Sequence, residues 1–533
     1  MFHVLNGRRE TIVFYLSLLL IVVCAYPTLL YPLGRDQAIS AYIGKVINEG
    51  GVPFKDAWEQ KPPLVYYLYS LAFILFGESM QSIRLFDLLY ALATIFLLFQ
   101  FGNILFGKTV GMLSGIFYGI LYFFTNDFWT ISNTDGFLVL PTAGSFYTTC
   151  IAQRNNRNLL FLLSGILIGC VFMIKFPGVL IVLPISLYMY VETLGSKGGT
   201  IRRFFYNTFS VMLGFLLVIL LFTMYFMVNH ALGELLYALF VFNPIYVKGS
   251  FEVGRRAYLD LTLLGFCKKN LLVTIPALCA LLSIRLKKPC INELLVVGWL
   301  LVSLLGVYIQ HRFFLYHWLP VLGPLAMLGA YGCSKIFAQP FLSKKNAPLF
   351  TTKNLSLLLI AIPLALFTFK PYMRQFIDFY KYTEGNITRF DYYNTYFGRY
   401  NVGDFSYLAD EEVAHYLQAH TDSNDYIFIW GFGTLVYFLS DRQSASRFIF
   451  PNALLSEWHP RYSEWRGELI YNLTTKRPRY IIIMEKDSLS WITGVEGDSL
   501  ENIKDFPELE RIITHEYTFE KTIEHFHLYR IKA

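Results

Sequence analysis

Two side chains that could take part in chemistry follow the first long apolar stretch of this sequence. Asp36 comes soon after that stretch, and Lys61 opens a Lys-Pro-Pro-Leu segment that leads into the next apolar run. A carboxylate can accept a proton from a hydroxyl group, and an ammonium can bind an anion such as a phosphate. The sequence therefore predicts acid–base chemistry and anion binding in this polar segment. Its other charged side chains include Lys45, Lys55, Asp56 and Glu59.

The composition excludes a soluble globular protein. Apolar residues make up 55% of the 533-residue chain and charged residues only 16%, which is too apolar for a single soluble core of this length. Phe and Tyr are abundant, as expected where many helix ends lie at membrane interfaces. We therefore predict a polytopic membrane protein and interpret the net charge of +7 as a sign of topology, with no nucleic-acid partner.

Apolar runs of spanning length predict about 11 to 13 membrane helices. The first, Thr11–Leu30, follows Arg8 and Arg9 and lacks a cleavage site, so we expect it to be retained with the N-terminus in the cytoplasm. The positive-inside rule then places the basic loops on the cytoplasmic side, provided that the run Leu64–Phe76 does not cross. As a helix that run spans only about 20 Å of a roughly 30 Å hydrocarbon layer. The remaining predicted spans cover residues 83–106, 110–124, 136–152, 159–175, 178–191, 208–228, 271–284, 294–309, 318–336 and 355–369.

Four polar segments share the outer face in this topology. They are residues 31–63, a short loop that contains Asp135, residues 229–270 and a turn at residues 310–317. Because these segments lie on one side of the membrane, we expect them to converge on one site. The predicted location is the cytoplasmic (inner) membrane, with the chemistry at its outer face.

The character of the sequence changes after residue 370. Apolar runs shrink to strand length and alternate with helical segments, which is typical of a small α/β domain. We predict a transmembrane catalytic module over residues 1–370, with its first outer loop at 31–82, and an extracytoplasmic α/β domain over residues 371–533. The predicted strands of that domain are residues 426–430, 447–450, 480–484 and 525–531.

Short motifs in a fixed order carry a family resemblance. They are Gly34-Arg35-Asp36, Gly51-Val52-Pro53-Phe54-Lys55-Asp56, Lys61-Pro62-Pro63-Leu64, Ser82-Ile83-Arg84, Asn133-Thr134-Asp135 and His317-Trp318-Leu319-Pro320. This order resembles the GT-C superfamily of polyprenyl-phosphate-sugar glycosyltransferases. The similar branch is the bacterial one related to protein O-mannosyltransferases and to the lipid A aminoarabinose transferase. The resemblance implies a GT-C fold and a donor sugar on a lipid phosphate, transferred with inversion on the outer face.

The chemistry of such a transfer suits the residues present. When a hydroxyl attacks the anomeric carbon of a sugar phosphate, the leaving group is already a weakly basic anion and needs cations more than a general acid. We expect Asp36 to be the catalytic base. The candidates for binding the donor phosphate are Lys61, Arg312, His317 and Arg84. The candidates for orienting a substrate are Asp135, Asp56 and Glu59.

For single residues, structural roles without a catalytic function stay open. A carboxylate at a helix N-terminus is an equal interpretation of Asp135, and a place in an interfacial aromatic belt is one for His317. Lys175 fits a lysine that extends to the headgroups. Each reading concerns one side chain, whereas the order of Asp36 and Lys61 in one outer loop favours a common function.

The chain departs from the family pattern at two positions. Gln37 follows Asp36 where the eukaryotic protein mannosyltransferases have an Asp-Glu pair, which favours a lipid or glycan acceptor over a protein. Gln60 stands before Lys61 where relatives of the aminoarabinose transferase have an acidic residue, and Glu59 lies one position further back. No cofactor is assigned from the sequence, and a divalent metal is left open.

Two other classes compete with a sugar transferase. A secondary transporter or a flippase of lipid-linked saccharides would show repeated halves and ionisable groups at mid-membrane, whereas the charges here lie mostly in loops. An O-antigen-type ligase or polymerase would place its key charges in later loops. The expected partners are a polyprenyl-phosphate-sugar donor, a lipid or glycan acceptor, and the membrane.

Overall fold

The computed structural model of the protein is mostly helical and carries one five-stranded sheet. It describes residues 2–196, 198–249, 255–285, 288–341, 369–370, 372–395 and 405–532. The chain forms two compact units, each assembled from segments far apart in sequence. The first unit comprises the described parts of Met1–Tyr31, Arg84–Phe222 and Arg255–Ile377. The second comprises those of Pro32–Ile83, Thr223–Gly254 and Asp378–Ala533.

The longer helices are numbered in chain order. They are α1 Phe2–Ala25, α2 Arg35–Asn48, α3 Leu64–Phe76, α4 Met80–Phe106, α5 Lys108–Phe124, α6 Val139–Asn155, α7 Asn158–Ile174, α8 Val182–Gly195, α9 Ile201–Val228, α10 Arg255–Lys269, α11 Leu271–Arg285, α12 Ile291–Ile309, α13 Leu322–Phe341, α14 Tyr407–His420, α15 Tyr462–Lys476 and α16 Pro507–Glu516. Shorter helical segments are Tyr26–Leu30, Gly136–Leu138, Phe176–Ile181, Leu232–Tyr237, Ala238–Phe242, Asn243–Gly249, Leu315–Val321, Arg389–Asn394, Thr434–Ser440, Asn452–Leu455, Ser490–Thr493, Ser499–Asn502 and Ile503–Asp505.

Several helices are long and apolar enough to cross a membrane. Among the described residues five pass on length and composition, and a sixth results if α10 and α11, bent by 97°, form one span. The five are Thr11–Leu30, Met80–Phe106, Phe176–Gly195, Ile201–Val228 and Ile291–Ile309. The chain is thus a multi-pass membrane protein. The count of about 11 to 13 stays a prediction, and the span predicted at 355–369 falls almost entirely outside the described residues.

Helix α3 has the length that the sequence predicts. It contains 13 residues, from Leu64 to Phe76, and begins directly after Pro63, where proline suits the start of a helix. At 1.5 Å per residue it is about 20 Å long, which is short for a bilayer crossing. Its placement at the membrane interface stays a prediction.

Glycine residues let α7 and α9 approach each other within the first unit. A Cβ on Gly165 would lie 1.9 Å from the carbonyl oxygen of Val211, and one on Gly214 would lie 2.1 Å from that of Leu162. Neither position can hold a larger residue without moving a helix backbone. Close packing through small residues is typical of helices in membranes.

The second unit contains the sheet. Its strands are β1 Tyr426–Trp430, β2 Gln443–Ser444, β3 Tyr480–Met484, β4 Tyr517–Ile523 and β5 Phe526–Ile531. The strand order is β2-β1-β3-β5-β4. The first three strands are parallel, and β5 pairs antiparallel with both β3 and β4. The small C-terminal α/β fold expected from the sequence is confirmed.

The sequence predicted three of these strands and misplaced one. The predictions at 426–430, 480–484 and 525–531 are confirmed as β1, β3 and β5. The strand predicted at 447–450 is wrong, because the backbone carbonyl of Arg447 accepts a hydrogen bond from Trp58 N (2.8 Å) rather than from a strand. The sequence missed two strands: β2 is only two residues long, and β4 contains the polar run Glu520-Lys521-Thr522, which breaks the alternation typical of a strand.

The segment Pro32–Ile83, predicted to be the first outer loop, belongs to the same compact unit as the C-terminal sheet. Helix α2 packs against α3 so closely that a Cβ on Gly44 would lie 2.9 Å from Tyr69 Cβ. The boundary expected at residue 370 divides the chain into a membrane part and an extracytoplasmic part. This division stays a prediction. The compact units separate the chain by packing, and they place residues 32–83 with the C-terminal part.

Candidate active site

The N-terminus of α2 and the loop before α3 position the residues singled out by the sequence. Helix α2 begins at Arg35 after Gly34, whose extended backbone stops the preceding segment, and Asp36 lies in its first turn. A carboxylate is stabilised there by the helix dipole. Lys61 lies on the other side of the site, held by Pro62 and Pro63 at the start of α3.

Asp36, Lys61 and Glu59 form one ion-pair cluster. The Nζ atom of Lys61 lies 2.6 Å from Asp36 Oδ1 and 2.9 Å from Glu59 Oε2. The Glu59 side chain is only 2% exposed, whereas that of Asp36 is 29% exposed. The other oxygen of Glu59 accepts a hydrogen bond from Gln60 N at 2.9 Å. Glu59 thus holds Lys61 from the buried side, and Asp36 is the carboxylate accessible to a substrate.

The cluster keeps Lys61 charged. Burial disfavours its ammonium, but the charges and hydrogen bonds of Asp36 and Glu59 outweigh burial and raise the pKa of Lys61 above its ordinary value. An ammonium has three N–H donors. Asp36 and Glu59 take one each, which leaves the third donor of Lys61 to meet another acceptor.

Asp56 shapes the loop between α2 and α3. Its Oδ2 atom accepts a hydrogen bond from Val52 N at 2.7 Å, and its own N–H donates to Val52 O at 2.9 Å. Phe54 at the tip has a φ of 70° and is fully buried. Asp56 therefore closes a tight turn that turns Phe54 inward. Its predicted role in orienting a substrate stays a prediction, because the contacts above are with the loop itself.

A second polar cluster lies in the first unit. Lys175 Nζ is 2.5 Å from Asp135 Oδ2, and the Asp135 side chain is fully buried. Helix α7 ends at Ile174, so the extended backbone of Lys175 turns its side chain away from the helix. The Lys175 ammonium also lies 5.5 Å from the centroid of the Tyr316 ring. The sequence missed this pair, although Lys175 is the only charge between residues 159 and 191.

The Asp135–Lys175 pair lines a pocket of the first unit. The pocket is small, with a cavity volume of about 30 Å³, and its polar lining includes His317, Gln310 and Ser303. The rest of the lining is mostly apolar, with Trp299 among its larger side chains. The arrangement can bind a polar group within an apolar wall, which is the usual composition of a ligand site.

His317 and Arg312 lie in and beside the turn that precedes α13. Phe313 and Trp318 are buried in the core of the first unit, which fixes this turn. Both His317 and Arg312 are largely buried, at 4% and 7% exposure. The ring of His317 contacts Tyr316 at 4.7 Å between centroids. Their predicted role in phosphate binding stays a prediction.

Arg84 serves the fold of the loop before α6. It is 1% exposed and donates hydrogen bonds to the carbonyl oxygens of Tyr31, Phe128 and Ile131 at 3.0 to 3.3 Å and to Ser132 Oγ at 2.9 Å. These contacts use at least four of its five N–H groups. We therefore leave Arg84 out of the phosphate site proposed below, because its donors already hold backbone carbonyls.

The described residues contain no preformed metal site. No three His, Cys, Asp or Glu side chains among them are grouped closely enough to hold an ion. Asp36 and Glu59 do lie together, but the ammonium of Lys61 occupies the position between their carboxylates. We derive no catalytic step through a metal.

Family models match two parts of the sequence. Residues 60–225 match the model described as dolichyl-phosphate-mannose-protein mannosyltransferase. Residues 409–493 match the model of the competence-induced protein Ccs4 C-terminal domain. No curated protein sequence matches the chain. The first match contains Lys61, Arg84, Asp135 and Lys175.

Solved structures share the fold of the whole chain. ArnT from Cupriavidus metallidurans bound to undecaprenyl phosphate is 11% identical with a TM-score of 0.59, and 97% of each chain is covered. The apo state of the same protein gives a TM-score of 0.60 at the same identity and coverage. The Archaeoglobus fulgidus oligosaccharyltransferase tethered to an acceptor peptide is 13% identical with a TM-score of 0.50, covering 97% of this chain and 74% of that one.

The partial family match and the shared fold point to the same class of protein. Residues 60–225 are similar to the mannosyltransferase family, and the chain as a whole shares the fold of ArnT and of the oligosaccharyltransferase. Both findings support the membrane glycosyltransferase that the sequence motifs implied. Neither finding supports the alternative of a transporter or flippase.

Proposed function

We propose that the protein transfers a sugar from a polyprenyl-phosphate donor to a hydroxyl group of a cell-envelope lipid or glycan. The observation that carries this proposal is the contact of 2.6 Å between Lys61 Nζ and the accessible carboxylate of Asp36. A base and a phosphate-binding cation are what this transfer requires. Support comes from ArnT, whose structure contains undecaprenyl phosphate. The reaction takes place at the outer face of the cytoplasmic membrane.

The proposed reaction is a single displacement. The acceptor hydroxyl loses its proton to Asp36 as its oxygen bonds to the anomeric carbon. The bond from that carbon to the phosphate oxygen breaks, and polyprenyl phosphate leaves as an anion. Because the hydroxyl attacks opposite the leaving phosphate, the configuration at the anomeric carbon is inverted.

The ion pair between Asp36 and Lys61 opens in this mechanism. The attacking and leaving oxygens lie on opposite faces of the sugar, so the base and the phosphate-binding cation cannot stay 2.6 Å apart. Lys61 can turn its third donor to the phosphate while Glu59, 2.9 Å away, keeps the ammonium in place. Opening the pair also leaves the carboxylate of Asp36 free to accept the hydroxyl proton.

Two measurements test the proposed function. The purified protein in lipid nanodiscs is expected to bind undecaprenyl phosphate, measured by native mass spectrometry. Cells that lack the gene are expected to lose one sugar from an envelope lipid or glycan, measured by mass spectrometry of the extracted envelope. An unchanged envelope together with no binding of undecaprenyl phosphate would refute the proposal. A sugar lost from a protein instead would correct the acceptor, which we take to be a lipid or glycan because Gln37 follows Asp36.

The buried pair Asp135–Lys175 provides a separate prediction. We propose that it binds a polar substrate group in the pocket of the first unit. Breaking a buried ion pair from one side costs about 3 to 5 kcal/mol, whereas neutralising both partners is often tolerated. Asp135→Asn and Lys175→Met are therefore each expected to lower the melting temperature, and the double variant to recover it. Transfer is expected to stay low in the double variant, measured as the rate of sugar addition in cells that lack the native gene. Recovery of transfer together with stability would make the pair purely structural.

The proposed topology yields a labelling prediction. Asn48, Asn156 and Asn424 are exposed in the structure, so a cysteine at each is open to reagents. In a background without the seven native cysteines, an impermeant thiol reagent added to intact cells is expected to label cysteines at 48 and 424 but not at 156. Permeabilised cells provide the control, because all three should then react. Labelling at 156 alone in intact cells would invert the proposed orientation.

A further inference from the structure

Helix α2, which carries Asp36, contacts the C-terminal segment near the last turn of the helix. All of the following contacts lie within the second unit. Lys45, with only 4% of its side chain exposed, contacts Glu78 at 2.7 Å and also pairs with Asp441. Tyr42 OH accepts a hydrogen bond from Ser444 N at 2.8 Å. These contacts hold α2 against the helix Thr434–Ser440 and the strand that follows it.

The start of α2 also contacts the C-terminal segment, through Arg35. This residue is 8% exposed, and its guanidinium carbon lies 5.8 Å from the centroid of the Phe432 ring. Two buried carboxyl groups interact electrostatically with the Arg35 guanidinium. Burial raises the pKa of Asp410 to about 8 and also raises that of Asp487, and in both cases Arg35 acts against burial.

The sheet holds the surroundings of Arg35 rigidly. Phe432 follows β1 and Asp487 follows β3, and the ends of neighbouring parallel strands meet at one edge of the sheet. Asp487 Oδ2 accepts a hydrogen bond from Phe432 N at 3.1 Å, and both Asp487 oxygens accept from Ser499, each at 2.8 Å. An Asp side chain tied by three hydrogen bonds has little freedom. The Asp487 carboxyl group, which interacts electrostatically with Arg35, is therefore fixed in position.

We propose that Arg35 is a positioning residue for sugar transfer. The sheet edge holds its guanidinium, and Arg35 thereby fixes the first turn of α2 and the direction of the neighbouring Asp36 carboxylate. This inference rests on the proposed role of Asp36 as the base. It gives the C-terminal segment a part in catalysis although none of these C-terminal residues need touch a substrate. A base displaced by about 1 Å can cost 10²-fold in rate.

A double-variant cycle tests whether Arg35 acts through Asp36. Arg35→Met, Asp36→Asn and the double variant are expressed as full-length protein in cells that lack the native gene. The readouts are the initial rate of sugar addition per folded protein and the affinity for undecaprenyl phosphate. Arg35→Met is expected to lower the rate about 10- to 100-fold with an unchanged affinity. In the Asp36→Asn background it is expected to change nothing further, because there is no base left to position.

Conservative replacement and loss of the partner give further tests. Arg35→Lys keeps the charge and is expected to recover most of the rate. Asp487→Asn removes the fixed carboxyl group and is expected to lower the rate in the same direction as Arg35→Met. If the Arg35→Met protein does not accumulate in cells, these two variants still test the inference. Equal loss of rate in Arg35→Lys and Arg35→Met, or no loss in Asp487→Asn, would overturn the inference.

Lys45→Met is the matched control. Lys45 is on the same helix and also pairs with a C-terminal carboxylate, but it lies about 13 Å along the helix from Asp36. This variant is expected to lower the melting temperature while the rate per folded protein stays within about threefold of the native rate. A loss of rate equal to that of Arg35→Met would show that both residues merely hold the fold.

The cycle separates two failures. If Asp36→Asn alone transfers at the native rate, the proposed base is wrong and the inference about Arg35 fails with it. If Asp36→Asn transfers slowly and Arg35→Met lowers its remaining rate by the same factor as it lowers the native rate, only the inference about Arg35 fails.

Discussion

Replacing Asp36 with Asn is expected to lower sugar transfer about 10²- to 10⁴-fold, the usual cost of losing a positioned base. The substitution keeps the shape of the side chain but removes its ability to accept the hydroxyl proton. The fold is expected to tolerate it, because Asp36 is partly exposed and Lys61 keeps its contact with Glu59 at 2.9 Å. Binding of undecaprenyl phosphate is expected to be undiminished, since the carboxylate repels a phosphate.

The measurement compares Asp36→Asn with a matched control. Both the variant and the exposed Asp505→Asn remove one carboxylate from the second unit without changing its size. Each is expressed in cells that lack the native gene, and the rate of sugar addition is normalised to the amount of folded protein. Asp505→Asn is expected to transfer at the native rate. Native transfer by Asp36→Asn would exclude this carboxylate as the base.

Local sequence patterns predicted much of the fold. Long apolar runs indicated the spans that the structure contains, and short β-branched runs indicated β1 and β3, because burial imposes those patterns along contiguous residues. The order of Asp36 and Lys61 in one predicted outer loop also indicated a common site. The structure places these two side chains in direct contact, although their catalytic roles stay predictions.

Pairings between distant residues were not predictable. Lys175 meets Asp135 across 40 positions, and Lys45 meets Asp441 across 396. A charge that looks like a solitary interfacial lysine in sequence can thus be one half of a buried pair. Arg84 shows the converse, because a cation near a predicted site turns out to hold backbone carbonyls. Neither outcome leaves a local pattern, since both depend on how separate segments pack.

Replacing Lys61 with Met is expected to weaken the binding of undecaprenyl phosphate about 10- to 100-fold and to slow transfer as well. A hydrogen bond to a charged group contributes about 1.5 to 3 kcal/mol, which corresponds to this range. The effect appears in binding because the phosphate is charged before, during and after the reaction. Asp36→Asn, by contrast, is expected to affect transfer alone. The two variants therefore separate the cation from the base.

The Lys61 variant needs a stability control, because it also removes a partner from Glu59, whose side chain is 2% exposed. A buried carboxylate left without its cation destabilises the fold, so weak binding by Lys61→Met could result from unfolding. Adding Glu59→Gln makes the cluster neutral at both positions and is expected to restore the melting temperature but not the affinity for undecaprenyl phosphate. Lys61→Arg, which keeps the charge, is expected to bind more tightly than Lys61→Met. If the neutral double variant bound undecaprenyl phosphate as well as the native protein, Lys61 would be a structural partner of Glu59 and the phosphate site would lie elsewhere.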